Sequence, residues 1–373
     1  MSPDFPPPGH DADRHPTVRA ARRLADELLL PEAGRVDRDG VPRSHLAALA
    51  AAGLFGVSAP TDVGGAAAAP AVSRRVSAIL GGACLTTWFV WAQHQSPVRM
   101  LDLAHGTPVR DRLLPQLASG SLVSGIAFSH LRRRPGVAVR ATAVSGGWQL
   151  DGSAPWYTGW GVNDVAVLGA LTMDEQVLFV VVPAVEGPGL HSSAPIRTAA
   201  LSGARTVSLH LSGLTVAADD VVSAQPYEQW AVSDREHSAN AVPAVFGLAA
   251  RAVHDLRQVG VARDEPGPVE AADRLENLRD RLWSRWELLL DQVPPSERLD
   301  ERLAVRAEAL DLARTATAAL VTAGGGAAMA AEATPARLAT EALFLHVQGQ
   351  TAASRAATLS GIAARSTSVG RLP

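Results

Sequence analysis

Residues 146–170 read GGWQLDGSAPWYTGWGVNDVAVLGA, in which two apolar runs flank a turn rich in Gly and Trp at 155–160. Strands joined by such a turn present flat ring faces, a hydroxyl and backbone N–H groups at one end of a sheet. Two interpretations follow. In the first, a flat heterocycle lies on the turn, with Trp156 covering one face and Thr158 donating to its edge. In the second, which is the more common use of Trp in such a turn, the segment is a hydrophobic corner closing a β-barrel.

The sequence around this turn, from about residue 122 to residue 222, is typical of β-structure. Short runs rich in β-branched and apolar residues are separated by Gly, Pro, Asp and Ser, as expected for strands and their connections. The predicted strands are 137–143, 148–150, 165–171, 177–182, 206–211 and 214–216. This spacing predicts a small antiparallel barrel or sandwich.

Helical patterns precede and follow the β-rich part. The predicted helices are 18–30, 45–53, 72–100, 230–256, 268–290, 296–323 and 334–365. The third of these is expected to break near Gly81 and Gly82, and Pro243 is expected to kink the fourth. The chain is therefore predicted to divide into domains where the pattern changes between helical and β-rich. The divisions are a disordered N-terminal lead at 1–16, a helical domain at 17–121, a β domain at 122–225 and a helical region at 226–373.

Composition excludes several classes of function. A formal charge of −3 over 373 residues implies no general affinity for nucleic acid. All 34 basic residues are Arg, so the chain cannot form a Schiff base through Lys. Its single Cys, Cys84, cannot form an internal disulfide, and no Cys/His pattern predicts a metal site. No run of about 20 apolar residues predicts a membrane span. The lead lacks the apolar core of a signal peptide, and we expect a soluble, cytoplasmic protein.

Several short motifs recur in a characteristic order along the chain. They are GLFGV at 53–57, LLPQLASG at 113–120, AFS at 127–129, WQLDG at 148–152, WYT at 156–158, LSG at 201–203 and DVV at 220–222. Their order and spacing resemble the acyl-CoA dehydrogenase superfamily over nearly the whole length. The resemblance implies an α+β multi-domain fold with an N-terminal α-helical domain, a middle β-barrel or sandwich and a C-terminal four-helix bundle. It is specific for the fold and much less so for the reaction.

The resemblance implies FAD as cofactor. Its isoalloxazine ring would contact the strand turn, where Trp156 and Thr158 match the superfamily, and the segment around Ser129, where the superfamily commonly has Thr-Glu. Ser129 keeps a hydroxyl for the flavin edge, whereas His130 replaces the acid. We therefore expect Ser129, Trp156 and Thr158 to bind the ring.

The positions implied for the rest of FAD match less well. The superfamily presents an Arg followed closely by Phe-Gly for the pyrophosphate, and this chain has Arg257 and Arg263 without Phe-Gly. Arg257 is our first candidate, since a guanidinium can bind a phosphate with two hydrogen bonds. An exposed Arg at a helix end is the alternative. The Gly-Gly at the adenine end is matched by Gly324 and Gly325, which also fit a simple helix break.

The resemblance also implies a catalytic base, and this chain lacks it. The superfamily places a Glu immediately before a Gly in the C-terminal region, where this chain has Gln348 before Gly349. An amide accepts no proton near neutral pH but can orient a substrate by hydrogen bonding. Some members place the base on the helix before the bundle, a position that falls on His237. A surface His–Glu pair is the alternative for His237 and its neighbour Glu236.

Two further residues are predicted to contact substrate. Asn240 follows His237 by about one helical turn and would share its wall. His94 follows Trp88 and Trp91 in the region where the superfamily lines its acyl pocket, although a His satisfied inside a packed helix fits the same pattern.

These residues favour a flavoprotein oxidoreductase acting on an acyl thioester, either a CoA ester or one held on a carrier protein, in specialised metabolism. The alternatives are a base-less partner subunit of a hetero-oligomeric acyl-CoA dehydrogenase, a flavin-dependent monooxygenase of the same fold, or a non-redox use of the fold. We expect a homo-oligomer (dimer or tetramer) or a hetero-oligomer with a paralogue. The substrate and the electron acceptor or reductase do not follow from the sequence.

Overall fold

A computed structural model of the protein describes residues 11–133, 136 and 139–368. The order of elements is helical, then β, then helical again, which confirms the predicted fold class. The chain forms two compact units. One consists of Arg14–Val76 and Thr86–Val232, and the other of Met1–Asp13, Ser77–Leu85 and Ser233–Pro373, as far as these are described.

The predicted lead at 1–16 falls only partly on described residues. Residues 1–10 lie outside them, Asp11–Arg14 forms a 3-10 turn, and Pro16 begins the first helix. The helices of the N-terminal part are α1 (Pro16–Leu24), α2 (Leu30–Asp39), α3 (Arg43–Ala51), α4 (Pro70–Ala83), α5 (Leu85–Leu103) and α6 (Pro108–Ser119). A π-helical turn, Ala25–Leu29, joins α1 to α2.

One eight-stranded sheet occupies the middle of the chain. Its strands are β1 (Ser124–Ala127), β2 (Arg140–Val144), β3 (Gly147–Tyr157), β4 (Val165–Thr172), β5 (Gln176–Pro183), β6 (Leu190–Ser192), β7 (Val207–Ala217) and β8 (Val221–Pro226). They are ordered β6-β7-β3-β2-β4-β5-β8, and β1 pairs with β4. Most pairs are antiparallel, as predicted, but β4 is parallel to both β1 and β2.

Individual strands differ from their predicted ranges. The runs predicted at 206–211 and 214–216 form the single strand β7, and the first two residues of the run at 137–143 lie outside the described residues. β1 was not predicted, because its four residues, SGIA, are too short a run to show alternation.

The sheet is covered on both faces. β4 has the largely apolar sequence VAVLGALT, and seven of its eight residues are buried. A continuous apolar strand of this kind needs partners on both sides. One face packs within the sheet domain, through residues such as Leu150 and Val207. The other packs on α5 and α6, through residues such as Leu101 and Leu114.

The C-terminal helices are α7 (Tyr227–Ser238), α8 (Pro243–Arg263), α9 (Pro266–Gln292), α10 (Leu299–Gly324), α11 (Thr334–Val347) and α12 (Ala352–Ser368). The single kinked helix predicted at 230–256 is wrong. The chain leaves helical geometry after Ser238, and Pro243 is the first residue of α8. Pro suits this position because its missing N–H has no intrahelical acceptor there.

The helix break predicted near Gly81 and Gly82 is confirmed, with the interruption at Cys84, but the two glycines themselves stay within α4, which continues to Ala83. The two glycines instead allow a close approach between α4 and α8. A Cβ on Gly82 would lie 2.6 Å from the carbonyl oxygen of Gly247, and a Cβ on Gly247 would lie 1.9 Å from that of Ala78. Both obstacles are backbone atoms, so neither can yield without moving a helix.

Replacing Gly247 with Ala is therefore expected to lower the free energy of unfolding by about 1–3 kcal/mol, the usual cost of overpacking. Urea denaturation of the purified variant measures the change. Gly267→Ala is the matched control, because a Cβ on this glycine of α9 meets nothing within 4 Å. Equal stability of Gly247→Ala and the native protein would contradict the close helix approach.

Within the described ranges, no helix has both the length and the apolarity needed to cross a membrane. Among the residues that the structure describes, no cluster of three or more His, Cys, Asp and Glu side chains is placed to hold a metal ion.

Candidate functional site

The last residues of β3 depart from regular strand geometry. Ala154 pairs with Leu209 and Tyr157 with Val207, so β3 contains one residue more than β7 over this interval. The resulting bulge holds Pro155, which has no N–H to give to a ladder. Trp156 follows it with φ 64°, in the left-handed region, and its side chain is 50% exposed. A bulky residue rarely adopts this conformation, which costs about 1–3 kcal/mol.

The two hydroxyls predicted to accompany Trp156 lie on the same unit. Ser129 Oγ donates to the carbonyl oxygen of Pro155 at 3.3 Å, so the structure brings Ser129 to the bulge. Its hydrogen is thereby engaged, and only its oxygen lone pairs remain for an incoming donor. Thr158 is 2% exposed, with its Oγ 3.1 Å from Thr206 Oγ. When Thr206 is the donor, the Thr158 hydrogen is available for a ligand.

His130, where the superfamily commonly has an acid, is buried. Its Nε2 donates to the carbonyl oxygen of Gly169 at 2.7 Å. Burial is the main cause that lowers the pKa of His130. The side chain is therefore a neutral imidazole at physiological pH and supplies no charge to the turn.

His94, predicted to contact substrate, lies inside the protein. The ring is completely buried, with Nε2 3.1 Å from the Leu117 carbonyl oxygen and Nδ1 accepting the Ser124 N–H at 3.0 Å. Both nitrogens are therefore used inside the protein, and the alternative of a satisfied core His is the observed one. Burial lowers its pKa to about 3.

This burial makes stability depend on pH. The unfolded chain protonates His94 below about pH 6.5, whereas the folded protein does so only near pH 3. Stability is therefore lost as the pH falls below 6.5, by about 1.4 kcal/mol per unit. Urea midpoints at pH 7 and pH 5 should show a loss of about 2 kcal/mol from this residue. The loss should be smaller in His94→Gln and unchanged in the control His105→Gln, which alters an exposed ring. An unaltered pH dependence in His94→Gln would contradict this assignment.

In the C-terminal unit, Arg306 connects the two segments that carry the candidate catalytic residues. Its Nη1 donates to the carbonyl oxygens of Ser238 at 3.0 Å and Asn240 at 3.1 Å, and its Nη2 donates to that of Gln348 at 2.9 Å. The C-terminal end of α7 and the C-cap of α11 are thus held by one guanidinium. Sequence reasoning missed Arg306, because its charged neighbours on α10 made it resemble a solvated residue, whereas it is 5% exposed.

His237 has the tautomer that a base requires. Its Nδ1 lies 2.7 Å from the carbonyl oxygen of Ser233, which can only accept, so Nδ1 carries the hydrogen. The Nε2 lone pair is then the basic site, on an exposed ring in the last turn of α7. Gln348 caps α11, and its Oε1 is buried without a hydrogen-bond partner among the described residues.

Asn240, predicted to contact substrate, has a structural use within the C-terminal unit. Its Nδ2 donates to the carbonyl oxygen of Glu236 at 3.0 Å, and its Oδ1 accepts from Arg302 Nη1 at 3.0 Å. Arg302 is 2% exposed and also donates to Leu289, Val293, Pro294 and Glu297 carbonyl oxygens. Both ends of the Asn240 amide are therefore engaged in fixing the link between α7 and α8.

Arg257, the candidate for the pyrophosphate, is paired with two carboxylates. Its Nη2 is 2.7 Å from both Asp273 and Glu276, and these carboxylates raise its pKa. The charge of Arg257 is thus balanced by two neighbours on α9, and its contact with the FAD pyrophosphate stays a prediction. Arg263, the second candidate, donates to the carbonyl oxygen of Ala323 at 2.6 Å.

Gly324 and Gly325 form the end of α10. Gly324 is its last residue, and Gly325 has φ 65°, which stops the helix. The helix-break interpretation therefore describes the local structure, while contact of these glycines with the adenine end of FAD stays a prediction.

Comparisons with known proteins agree with this fold. Residues 12–121 match the family described as acyl-CoA dehydrogenase, N-terminal domain. The benzylmalonyl-CoA dehydrogenase of Aromatoleum aromaticum is 26% identical over 173 residues, which cover 45% of this chain and 46% of that relative. The match thus spans about half the length of the curated relative.

Two solved structures cover nearly the whole chain. A glutaryl-CoA dehydrogenase from Mycobacterium smegmatis in complex with FADH2 has a TM-score of 0.78 at 17% identity, covering 95% of this chain and 94% of its own. A nitrososynthase from Micromonospora carbonacea var. africana has a TM-score of 0.77 at 20% identity, covering 97% and 99%. At these identities the likeness establishes the fold alone. Together with the family match, it confirms the resemblance to the acyl-CoA dehydrogenase superfamily.

Proposed function

We propose that the protein is an FAD-dependent oxidoreductase that acts on the CH–CH group of an acyl thioester. The observation that carries this proposal is Trp156, an indole held half-exposed in left-handed backbone geometry. Backbone strain of this kind persists where the surroundings enforce it, and it is concentrated at functional sites. A merely structural Trp would gain more free energy by burying its ring than by exposing half of it.

The residues of the bulge are candidates for a flavin ring. The exposed indole face suits a flat aromatic partner, and the candidate hydroxyls are those of Ser129, bound to Pro155 of the bulge, and Thr158, two residues after Trp156. The match to the pyrophosphate is poorer, since Arg257 is paired with carboxylates. The proposed FAD site is therefore argued from the contacts to the isoalloxazine ring, and we assign Trp156, Thr158 and Ser129 to bind this ring.

FAD, when bound, supplies a hydride acceptor. The chain itself must then remove a proton from the substrate carbon, which is a task for a general base. We assign this role to His237, through its Nε2 lone pair, and the orientation of substrate to the Gln348 amide. Arg306 holds the segments of both residues together.

A base-less partner subunit is the second candidate function. Gln348 at the base position and the paired Arg257 both favour it, since a companion chain would supply the missing Glu and phosphate contact. A flavin-dependent monooxygenase is a third, favoured by the structural likeness to a protein described as a nitrososynthase. In every case we expect an oligomer of this chain or with a paralogue, in the cytoplasm and in specialised metabolism.

The visible absorption spectrum of the purified protein, with the cofactor identified by mass, tests the proposal. We expect bound FAD, and we expect acyl-CoA esters added under anaerobic conditions to bleach its absorption band. A colourless protein that takes up no FAD on titration would contradict the proposal. A yellow protein that no acyl-CoA bleaches would favour the partner subunit, especially if a paralogous chain with the Glu co-purifies, or the monooxygenase.

A further inference from the structure

The turn after β3 is held from inside the protein by a single amide. Asn163 is 3% exposed, and its Nδ2 donates to the hydroxyl oxygen of Tyr157 and to the carbonyl oxygen of Thr158, both at 2.9 Å. Its backbone N–H donates to the carbonyl oxygen of Gly159, also at 2.9 Å. One residue thus binds three consecutive positions that follow the Trp156 bulge.

Two glycines, Gly125 and Gly159, leave room for the Asn163 amide. A Cβ on Gly125 would lie 2.4 Å from Asn163 Nδ2 and 2.6 Å from the Tyr157 hydroxyl. A Cβ on Gly159 would lie 2.4 Å from the same nitrogen, and Gly159 has φ 88°. Contacts this short do not occur, so the glycines at both positions leave room for the Asn163 side chain.

The Tyr157 hydroxyl and the Thr158 carbonyl both accept hydrogen bonds from the Asn163 amide. Burial raises the pKa of Tyr157, so its hydroxyl stays neutral and accepts the first N–H of the amide. The Thr158 carbonyl oxygen accepts the second. On the other side, Asn163 Oδ1 has no hydrogen-bond partner among the described residues. The donor end of the side chain therefore fixes its orientation, and an acceptor in its place would face the Thr158 carbonyl oxygen.

Holding the Thr158 carbonyl fixes the peptide plane between Thr158 and Gly159. The N–H of that peptide donates to the carbonyl oxygen of Ala204 at 2.9 Å, which ties the turn to the segment before β7. The Thr158 hydroxyl belongs to the residue that supplies the carbonyl of this peptide, and its oxygen lies 3.1 Å from Thr206 Oγ. We propose that Asn163 is a positioning residue that sets Thr158 and the Trp156 bulge in the geometry that binds the flavin ring. The inference rests on the proposed function, since it concerns the same site.

Asn163→Asp tests this role, because it preserves the shape of the side chain while replacing the donor by an acceptor. FAD is titrated into the flavin-free protein, and the dissociation constant and the visible band of the bound flavin are measured. We expect FAD binding at least about tenfold weaker, as for loss of a buried donor, and a shifted band. Thr172→Val is the matched control. It removes the hydrogen bonds of another buried hydroxyl on the same sheet, those to Asp174 and Gln176.

The control is expected to lose stability while FAD binding and the flavin band stay native. If Asn163→Asp does not fold, Asn163→Leu, of similar volume but without a donor, is measured in the same way with the same expectation. A native protein that binds no FAD overturns the proposed function and this inference with it. A native protein that binds FAD, with a folded Asn163 variant of unchanged affinity and spectrum, overturns this inference alone.

Discussion

Replacing Gln348 with Glu is expected to raise the rate at which an acyl-CoA bleaches the bound flavin by about 10²–10⁴-fold, the usual contribution of a positioned general base. The native amide accepts no proton near neutral pH, whereas a carboxylate at the same position does. Arg306 Nη2 lies 2.9 Å from the backbone oxygen of residue 348, and its positive charge favours the ionised form of the new side chain. Anaerobic stopped-flow absorbance measures the rate.

Gln350→Glu is the control for this substitution, because it places the same charge two residues away. The His237→Ala variant separates the two candidate bases. Alone, it should slow bleaching, and in the Gln348→Glu background it should have little effect, since the new carboxylate does the same work. His346→Ala is its control, because His346 Nδ1 makes the same bond to the carbonyl four residues earlier. Rates that neither Gln348→Glu nor His237→Ala changes would show that neither side chain reaches the reacting carbon.

Replacing Trp156 with Gly is expected to weaken FAD binding by about 10- to 100-fold, as for loss of an aromatic stacking surface worth about 1–3 kcal/mol. The same substitution removes the strain of a bulky residue at φ 64°, since Gly adopts this geometry freely. The two properties should therefore move in opposite directions: weaker binding of FAD, with stability kept or raised. Fluorescence titration with FAD and urea denaturation of the flavin-free protein measure them.

The control for strain is Glu175→Gly. Glu175 is an exposed residue with φ 61° in the connection between β4 and β5. Its replacement should raise stability and leave FAD affinity unchanged. If Trp156→Gly binds FAD as tightly as the native protein, the indole is not the flavin surface. If it is strongly destabilised, the ring is a structural corner, as the alternative interpretation of the turn holds.

The element types along the chain were predictable because local pattern fixes them. The apolar run of β4 and the helical spacing of α9 and α10 each show their secondary structure in the residues themselves. The roles of Gly82 and Pro243 were harder to predict from the sequence. Gly82 allows a neighbouring helix to approach, and Pro243 starts a helix that the sequence pattern had continued. The use of Gly82 follows from its neighbour in space, whereas that of Pro243 follows from its position at the start of a helix.

Some features of the candidate site were also predictable from local sequence, and others were not. The aromatic residues at 155–160, and Gln348 at the position where the resemblance implies a Glu, can be noted in the sequence, since each belongs to a local motif. His94, Asn240 and Arg257 were assigned to ligands because their chemistry suits ligands. Their actual partners are a carbonyl of α6, a guanidinium of α10 and two carboxylates of α9, distant in sequence and close in space.

The sequence by itself determined the helical, β, helical order of the chain, its fold class and the presence of Gln348 before Gly349, where the resemblance implies a Glu. Only the tertiary structure decided which polar side chains are already satisfied by protein groups, as in His94 and Arg257, and which hold the turn in place, as in Asn163. The physical reason is that burying a polar group costs free energy unless it finds a partner. That partner is chosen by the folded chain and is not encoded by spacing along it.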